Sequence, residues 1–324
     1  MPGSRSVQES RFRGYGLALV SATCWASGGL TAKWLFSEPS SETAGWPLPP
    51  LGIHIDPTAL SGARALSAFL ILLVYMAFAH RDQIRVSLKD VPFLAVFGVV
   101  GLAGVHFTYF KTISLTNVAT AILLEYLAPV LVLVVSVVFL KHRLTWTLPA
   151  GVALSVLGCA MVVGAVGGDG LVVSSAGIAW GLLSALFFAT YSLMGSVAAV
   201  RFRPYTTLLW GLGFATLFWL ITLGPAPVLG TFGDPRSAGA VLFMAVVSTV
   251  IPFSAFLTAL RLIPPTNATV TSTVEPAIAG VGAYLLFAEA LSVAQLLGGL
   301  LVVAAIVVVQ LPEKNPSPIL PPPE

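Results

Sequence analysis

Residues 116–129 read Thr-Asn-Val-Ala-Thr-Ala-Ile-Leu-Leu-Glu-Tyr-Leu-Ala-Pro, and residues 266–277 read Thr-Asn-Ala-Thr-Val-Thr-Ser-Thr-Val-Glu-Pro-Ala. Each stretch sets one glutamate, Glu125 or Glu275, close to a proline within a long apolar run. The rest of the chain says what kind of run this is. It is 57% hydrophobic and only 9% charged, where ordinary soluble domains carry about 25% charged residues. Ten apolar stretches approach the ~20 residues that span a bilayer. They cover roughly 15–35, 59–79, 91–110, 118–140, 148–166, 176–198, 206–223, 238–260, 268–287 and 294–311. All are evenly apolar rather than alternating, which fits helices and not the strands of a membrane barrel. The expected fold class is an all-α membrane protein with ten transmembrane helices. An ionisable group at membrane depth is costly, and marks a functional site by default.

Composition also excludes several functions. Almost nothing remains outside the spans for cytoplasmic chemistry. The net charge of +3 sits mostly in short loops and is not a nucleic-acid signal. Arg5, Arg11 and Arg13 precede an apolar run of ~20 residues, too long for the core of a signal peptide, so the first run reads as a retained helix. Cys24 and Cys159 lie in apolar runs and read as small buried hydrophobes with no disulfide. The sequence lacks a phosphate-binding Gly-Lys-Ser/Thr loop, a His-Glu-x-x-His pair and a Gly-x-Ser-x-Gly elbow. No cofactor or metal is expected, and an enzyme is not.

Loop charge gives the orientation. Counting ends alternately, the side of the N-terminus collects Arg5, Arg11, Arg13, Arg81, Arg85, Lys89, Lys141, Arg143, Arg201, Arg203, Arg261 and Lys314, 12 of the 16 basic residues. The other side holds Lys111 and Arg236, with Lys33 at its edge, beside Glu38, Glu42, Asp56, Asp169 and Asp234. The positive-inside rule then puts both termini in the cytoplasm of a multi-pass protein of the inner (plasma) membrane. The Pro-rich segment 312–324 reads as a disordered tail.

The two opening stretches belong to a longer internal similarity. An offset of 147 aligns Pro129 with Pro276, Leu144 with Leu291 and Gly151 with Gly298. An offset of 150 aligns Thr116-Asn117 with Thr266-Asn267 and Glu125 with Glu275, so a gap falls near the glutamates. An offset of 163 aligns Gly14 with Gly177, Ser21-Ala22 with Ser184-Ala185, and Trp25 with Phe188. Five spans per half make the second half enter from the opposite side, an inverted repeat of the kind common in secondary transporters. The expected units are residues 14–166 and 176–311.

With these features in view, the chain resembles the EamA family of the drug/metabolite transporter superfamily. The likeness covers about residues 14–311 and includes Phe-Ala-Glu-Ala-Leu-Ser at 287–292 followed by Gly298-Gly299. Leu124-Glu125-Tyr126-Leu127-Ala128-Pro129 and Val274-Glu275-Pro276-Ala277 are similar to the family's amino-acid exporters, the threonine/homoserine type included. The resemblance implies a basket-like helical bundle around a cavity, and export of small metabolites. The first half departs from the family at Lys141-His142-Arg143, where a Gly-Glu-Arg-like turn is common.

Within that frame the candidate substrate-binding residues are Glu125, Glu275, Arg64, Tyr126, His106, Tyr109, Trp25 and Tyr191. Pro129, Pro276 and Pro252 deprive the carbonyls of Glu125, Ser272 and Ser248 of their helical donors, which membrane helices tolerate where they line a cavity or meet neighbours. A glutamate there can hold a substrate ammonium or carry a coupling proton; the plainer reading is a structural carboxyl bonded to Thr271 or Ser272. Arg64 can snorkel, pair with a glutamate, or hold a substrate carboxylate. His106 and Tyr109 share a helix face and, with Trp25, Tyr126 and Tyr191, either line a cavity or simply pack. Gly98, Gly101 and Gly104 suit close helix contact. The expected activity is export of an amino acid or related amine by alternating access. Its partners are a small-molecule substrate, the lipid bilayer and a coupling proton. Drug or toxic-metabolite efflux is the alternative, and a non-transporting intramembrane enzyme or receptor is the alternative of another class. The sequence does not give an oligomeric state.

Overall fold

The computed structural model describes residues 4–37, 39–40, 43–50, 55–115, 118–139, 144–162, 164–166, 174–288 and 292–311. Glu38, Glu42, Thr116-Asn117, Lys141-His142-Arg143, Asp169, Glu289-Ala290-Leu291 and the tail 312–324 lie outside the described residues. Among the described residues every regular element is helical.

Each of the ten apolar stretches forms a helix. In chain order these are α1 (Ser4–Phe36) and α2 (Pro57–Ala79). Next come α3 (Val91–Val96, Phe97–Ala103 and Gly104–Leu115 in series), α4 (Val118–Glu125, then Ala128–Val138) and α5 (Thr147–Val162). They are followed by α6 (Ser175–Arg201) and α7 (Pro204–Thr222). Last are α8 (Pro235–Ala245, Val246–Val250 and Ile251–Ala259 in series), α9 (Pro265–Ser272, then Glu275–Phe287) and α10 (Val293–Gln310). Eight are long and apolar enough to cross a membrane. The other two depart from the expectation for opposite reasons. α5 has only 16 residues. α1 has 33 but is diluted by hydroxyls and glycines. Those hydroxyls turn back on their own helix: Thr23 donates to Leu19 O at 2.9 Å, Thr31 to Ser27 O at 2.7 Å and Ser27 to Cys24 O at 2.7 Å. Bonding of this kind satisfies a hydroxyl without water.

Two pairs of irregularities matter for the site. α4 breaks at Tyr126-Leu127 and α9 at Thr273-Val274, an offset of 147, the same that aligns Pro129 with Pro276. Tighter bonds close each break: Leu127 N–H donates to Leu124 O at 3.2 Å, and Thr273 N–H to Val270 O at 3.2 Å. The second pair is a widened π turn in the middle of α3 (Phe97–Ala103) and of α8 (Val246–Val250). Pro252 lacks the N–H that Ser248 O would accept, so the wider turn in α8 has a local cause.

The packing is reciprocal. α1 packs against α8 and both parts of α9, while α6 packs against α3 and both parts of α4. α2 meets α7 and α8, and α7 meets α2 and α3. α5 and α10 pack closely on each other, where a Cβ on Gly158 would stand 2.8 Å from Gly298 O, and one on Gly298 2.7 Å from Gly158 O. Gly98 does the same for α3 against α7, where a Cβ would run into Gly211 O. Large apolar side chains such as Phe78, Phe139, Ile221 and Val293 are 73–84% exposed on the outer faces. Such a surface suits lipid, since soluble monomers rarely expose wide apolar patches.

Candidate functional site

Between the helices lies a cavity of about 250 Å³. Its acidic wall is made at the two helix breaks. Glu125 is the last residue before the break in α4, and Glu275 the first after the break in α9. Each carboxylate is half-buried and held by one hydroxyl from another helix. Ser184 Oγ of α6 donates to Glu125 Oε2. Tyr126 OH donates to Glu275 Oε2 at 2.5 Å, so the break in one helix supplies the donor for the glutamate of the other. Thr271 and Ser272, the partners that the plainer reading assigned to Glu275, donate instead to Asn267 O and Ala268 O of their own helix.

Arg64 and His106 form a basic wall, reached from α2 and α3. Both are buried, 7% and 5% exposed. Arg64 makes no ion pair among the described residues, and its Nε has no hydrogen-bond partner. Its guanidinium carbon lies 5.6 Å from the centre of the Phe110 ring. The burial rules out snorkelling to the surface. Neither ring nitrogen of His106 has a partner, and the ring stands edge-on to Phe253 at 5.4 Å. Tyr109 lines the same cavity as both walls.

Seven of the eight candidates line this cavity: Glu125, Glu275, Arg64, Tyr126, His106, Tyr109 and Trp25. Tyr191 is not among the lining residues. It is fully buried, its ring 5.3 Å from Phe253 and 5.4 Å from Phe97. Trp25 is the edge of the same aromatic cluster, 5.8 Å from Phe188 and 5.3 Å from Phe253. Phe188, Phe253, Ser248 and Met244 also line the cavity and were not singled out from sequence. Three of them had a signal: Phe188 aligns with Trp25 in the internal similarity, and Ser248 and Phe253 flank the helix-bending Pro252. Ser184 had one too, through its alignment with Ser21, but Ser21 donates to Pro252 O at 2.9 Å rather than to a carboxylate.

One end of the cavity lies at the C-terminal end of α1. Its lining follows α1 from Trp25 through Gly28, Gly29 and Ala32 to Lys33 and Ser37. At the other end of α1 the helices are shut. Tyr15 OH donates to Val309 O at 3.2 Å, while Asn267 Nδ2 reaches Tyr15 OH and Val309 O, both at 2.8 Å. Ala18, Ser21 and Ala22 are fully buried there.

Apolar helices with a lipid-compatible surface, gathered around a cavity with charged walls, define a multi-pass membrane transporter. The chain belongs to the EamA-like transporter family, whose pattern matches residues 12–164 and 175–311. It is a transporter and not an enzyme. Its relatives include an uncharacterized inner membrane transporter, YicL, of Salmonella typhimurium, 25% identical over 92% of this chain and 95% of that one. A probable terminal-alkyne amino-acid exporter of Streptantibioticus cattleyicolor is 26% identical over 81% of this chain and 87% of its own. The threonine/homoserine exporter RhtA of Escherichia coli K12 is 26% identical over 75% and 79%. A solved crystal structure shares the fold, with a TM-score of 0.71 over 92% of this chain and 96% of that one, at 20% identity.

Proposed function

We propose that the protein exports a small amine-bearing metabolite, an amino acid, across the inner membrane by alternating access. The carrying observation is the pair of glutamates, each fixed by a hydroxyl at a helix break and both facing one cavity. A fixed carboxylate is what a substrate ammonium needs, and charge-assisted hydrogen bonds give it direction. Efflux of uncharged drugs would call for aromatic walls alone. Trp25, Phe110, Phe188 and Phe253 supply such walls here, but beside two held carboxylates. The relatives named as exporters of threonine, homoserine and a terminal-alkyne amino acid support the same direction.

The architecture we infer is ten spans in two inverted halves, residues 14–166 and 176–311, with both termini cytoplasmic. The coincident helix breaks, the paired π turns and the reciprocal packing support it. In that orientation the cavity opens to the exterior, and Tyr15, Asn267 and Val309 close the cytoplasmic end. Export then requires that clasp to part and the outer end to seal. A proton on Glu275 or Glu125 is the coupling device that fits a cavity with these acids. Counterflow into proteoliposomes tests the reading. Radiolabelled amino acids are expected to exchange, and lipophilic drugs without an amine are not. Exchange of drugs alone would replace this reading with drug efflux.

A further inference from the structure

Arg64 and His106 face the cavity with no acidic partner of their own among the described residues. A buried guanidinium with no ion pair among the described residues is expensive, because its charge has been taken from water and is met only in part by the face of the Phe110 ring. A buried imidazole with two unpartnered nitrogens is a second such group, and both lie on the same cavity. Neither is spent on the glutamates: Glu125 and Glu275 take their hydrogen bonds from Ser184 and Tyr126. The cavity therefore has an acidic pole and a separate basic pole.

We propose that Arg64 and His106 form a carboxylate subsite, so that the cargo is an α-amino acid with an uncharged, apolar side chain. The proposal rests on the transport reading and narrows it. Arg64 offers planar paired donors, the geometry that matches a carboxylate, and His106 adds one ring N–H. The ammonium goes to the glutamates. Apart from Lys33, which lies at the far end of the lining near the end of α1, the remaining walls, among them Trp25, Val105, Phe110, Phe188, Met244 and Phe253, carry no charge and suit an apolar side chain. A simple amine would leave the basic pole unpaired, and a site built to pair a polar group discriminates strongly against an analogue that lacks it.

Equilibrium binding to the full chain in detergent tests this with three probes: L-leucine, isopentylamine, which is leucine without its carboxylate, and 4-methylpentanoate, which is leucine without its amine. The wild type is expected to bind leucine roughly tenfold or more tightly than either analogue. Arg64→Gln is expected to weaken leucine to the level of isopentylamine and leave isopentylamine unchanged, which also shows that the variant is folded. Arg64→Lys, which keeps the charge and loses the fork, and His106→Ala should fall between. Leucine binding no tighter than isopentylamine in the wild type, or equal losses for both in every Arg64 and His106 variant, would overturn the proposal. Failure of the transport reading looks different. Leucine that binds with this dependence on Arg64 but is never exchanged across a bilayer refutes transport and leaves the subsite standing. Isopentylamine exchanged in preference to leucine does the reverse.

Discussion

Tyr126 shows how one side chain serves both halves of the cavity. Its ring stands 6.3 Å from Phe188, edge-on, and its hydroxyl holds Glu275 of the distant helix α9. Tyr126→Phe keeps the ring and removes only the donor. Cargo affinity is expected to fall about tenfold, which is ~1.4 kcal/mol, with no loss of folded protein; unchanged affinity in equilibrium binding would remove this hydrogen bond from recognition. The glutamates were legible as single residues because a charge inside an apolar run stands out without any structure. Tyr191 was not separable from Tyr126 by the same reading. α6 is apolar around its whole circumference, so its sequence carries no stripe to say which face meets a cavity and which meets another helix.

At the scale of elements, the helix breaks resolve the alignment gap between the two opening stretches. The breaks and the prolines correspond at an offset of 147, so Ala128 and not Glu125 corresponds to Glu275. The carboxylates flank their breaks on opposite ends, and the internal similarity places polarity near a break without repeating it residue for residue. The clasp at the closed end belongs to this scale because it joins α1, α9 and α10. Asn267→Ala removes two of its hydrogen bonds. Such bonds between membrane helices average about 0.6 kcal/mol each. The open-to-closed ratio at the clasped end is therefore expected to shift about eightfold toward opening. Accessibility of a cysteine introduced at Ala18 to a thiol reagent reads that shift, in a background without Cys24 and Cys159; no change in labelling would mean the clasp does not gate. Close approach of α5 and α10 has its own test. Gly158→Leu is expected to destabilise by about 1–3 kcal/mol through overpacking. Gly16→Ala, where a Cβ meets nothing within 4 Å, should be neutral or slightly stabilising in thermal unfolding. Equal effects of the two would contradict the packing.

For the molecule as a whole, the all-helical class followed from composition, since only helices satisfy their own backbone in lipid, and eight helices among the described residues are long and apolar enough to cross a membrane. The closeness of Glu275 to Tyr126 across 149 positions did not, because no local pattern encodes which helices meet. Orientation comes from loop charge and has a direct check. With Cys24 and Cys159 removed, Ser40→Cys is expected to react with an impermeant thiol reagent in intact cells, and Arg85→Cys only after permeabilisation. The opposite result would invert the protein and turn its open end toward the cytoplasm.

The central claim is that the carboxylates of the cavity handle the cargo, and Glu275→Gln in proteoliposome counterflow tests it most directly. The account predicts that exchange of a radiolabelled amino acid falls roughly tenfold to a hundredfold, as expected when a charge-assisted hydrogen bond worth about 1.5–3 kcal/mol is lost, and that any dependence of exchange on pH is lost with it. Exchange with wild-type rate, affinity and pH dependence in Glu275→Gln would contradict it.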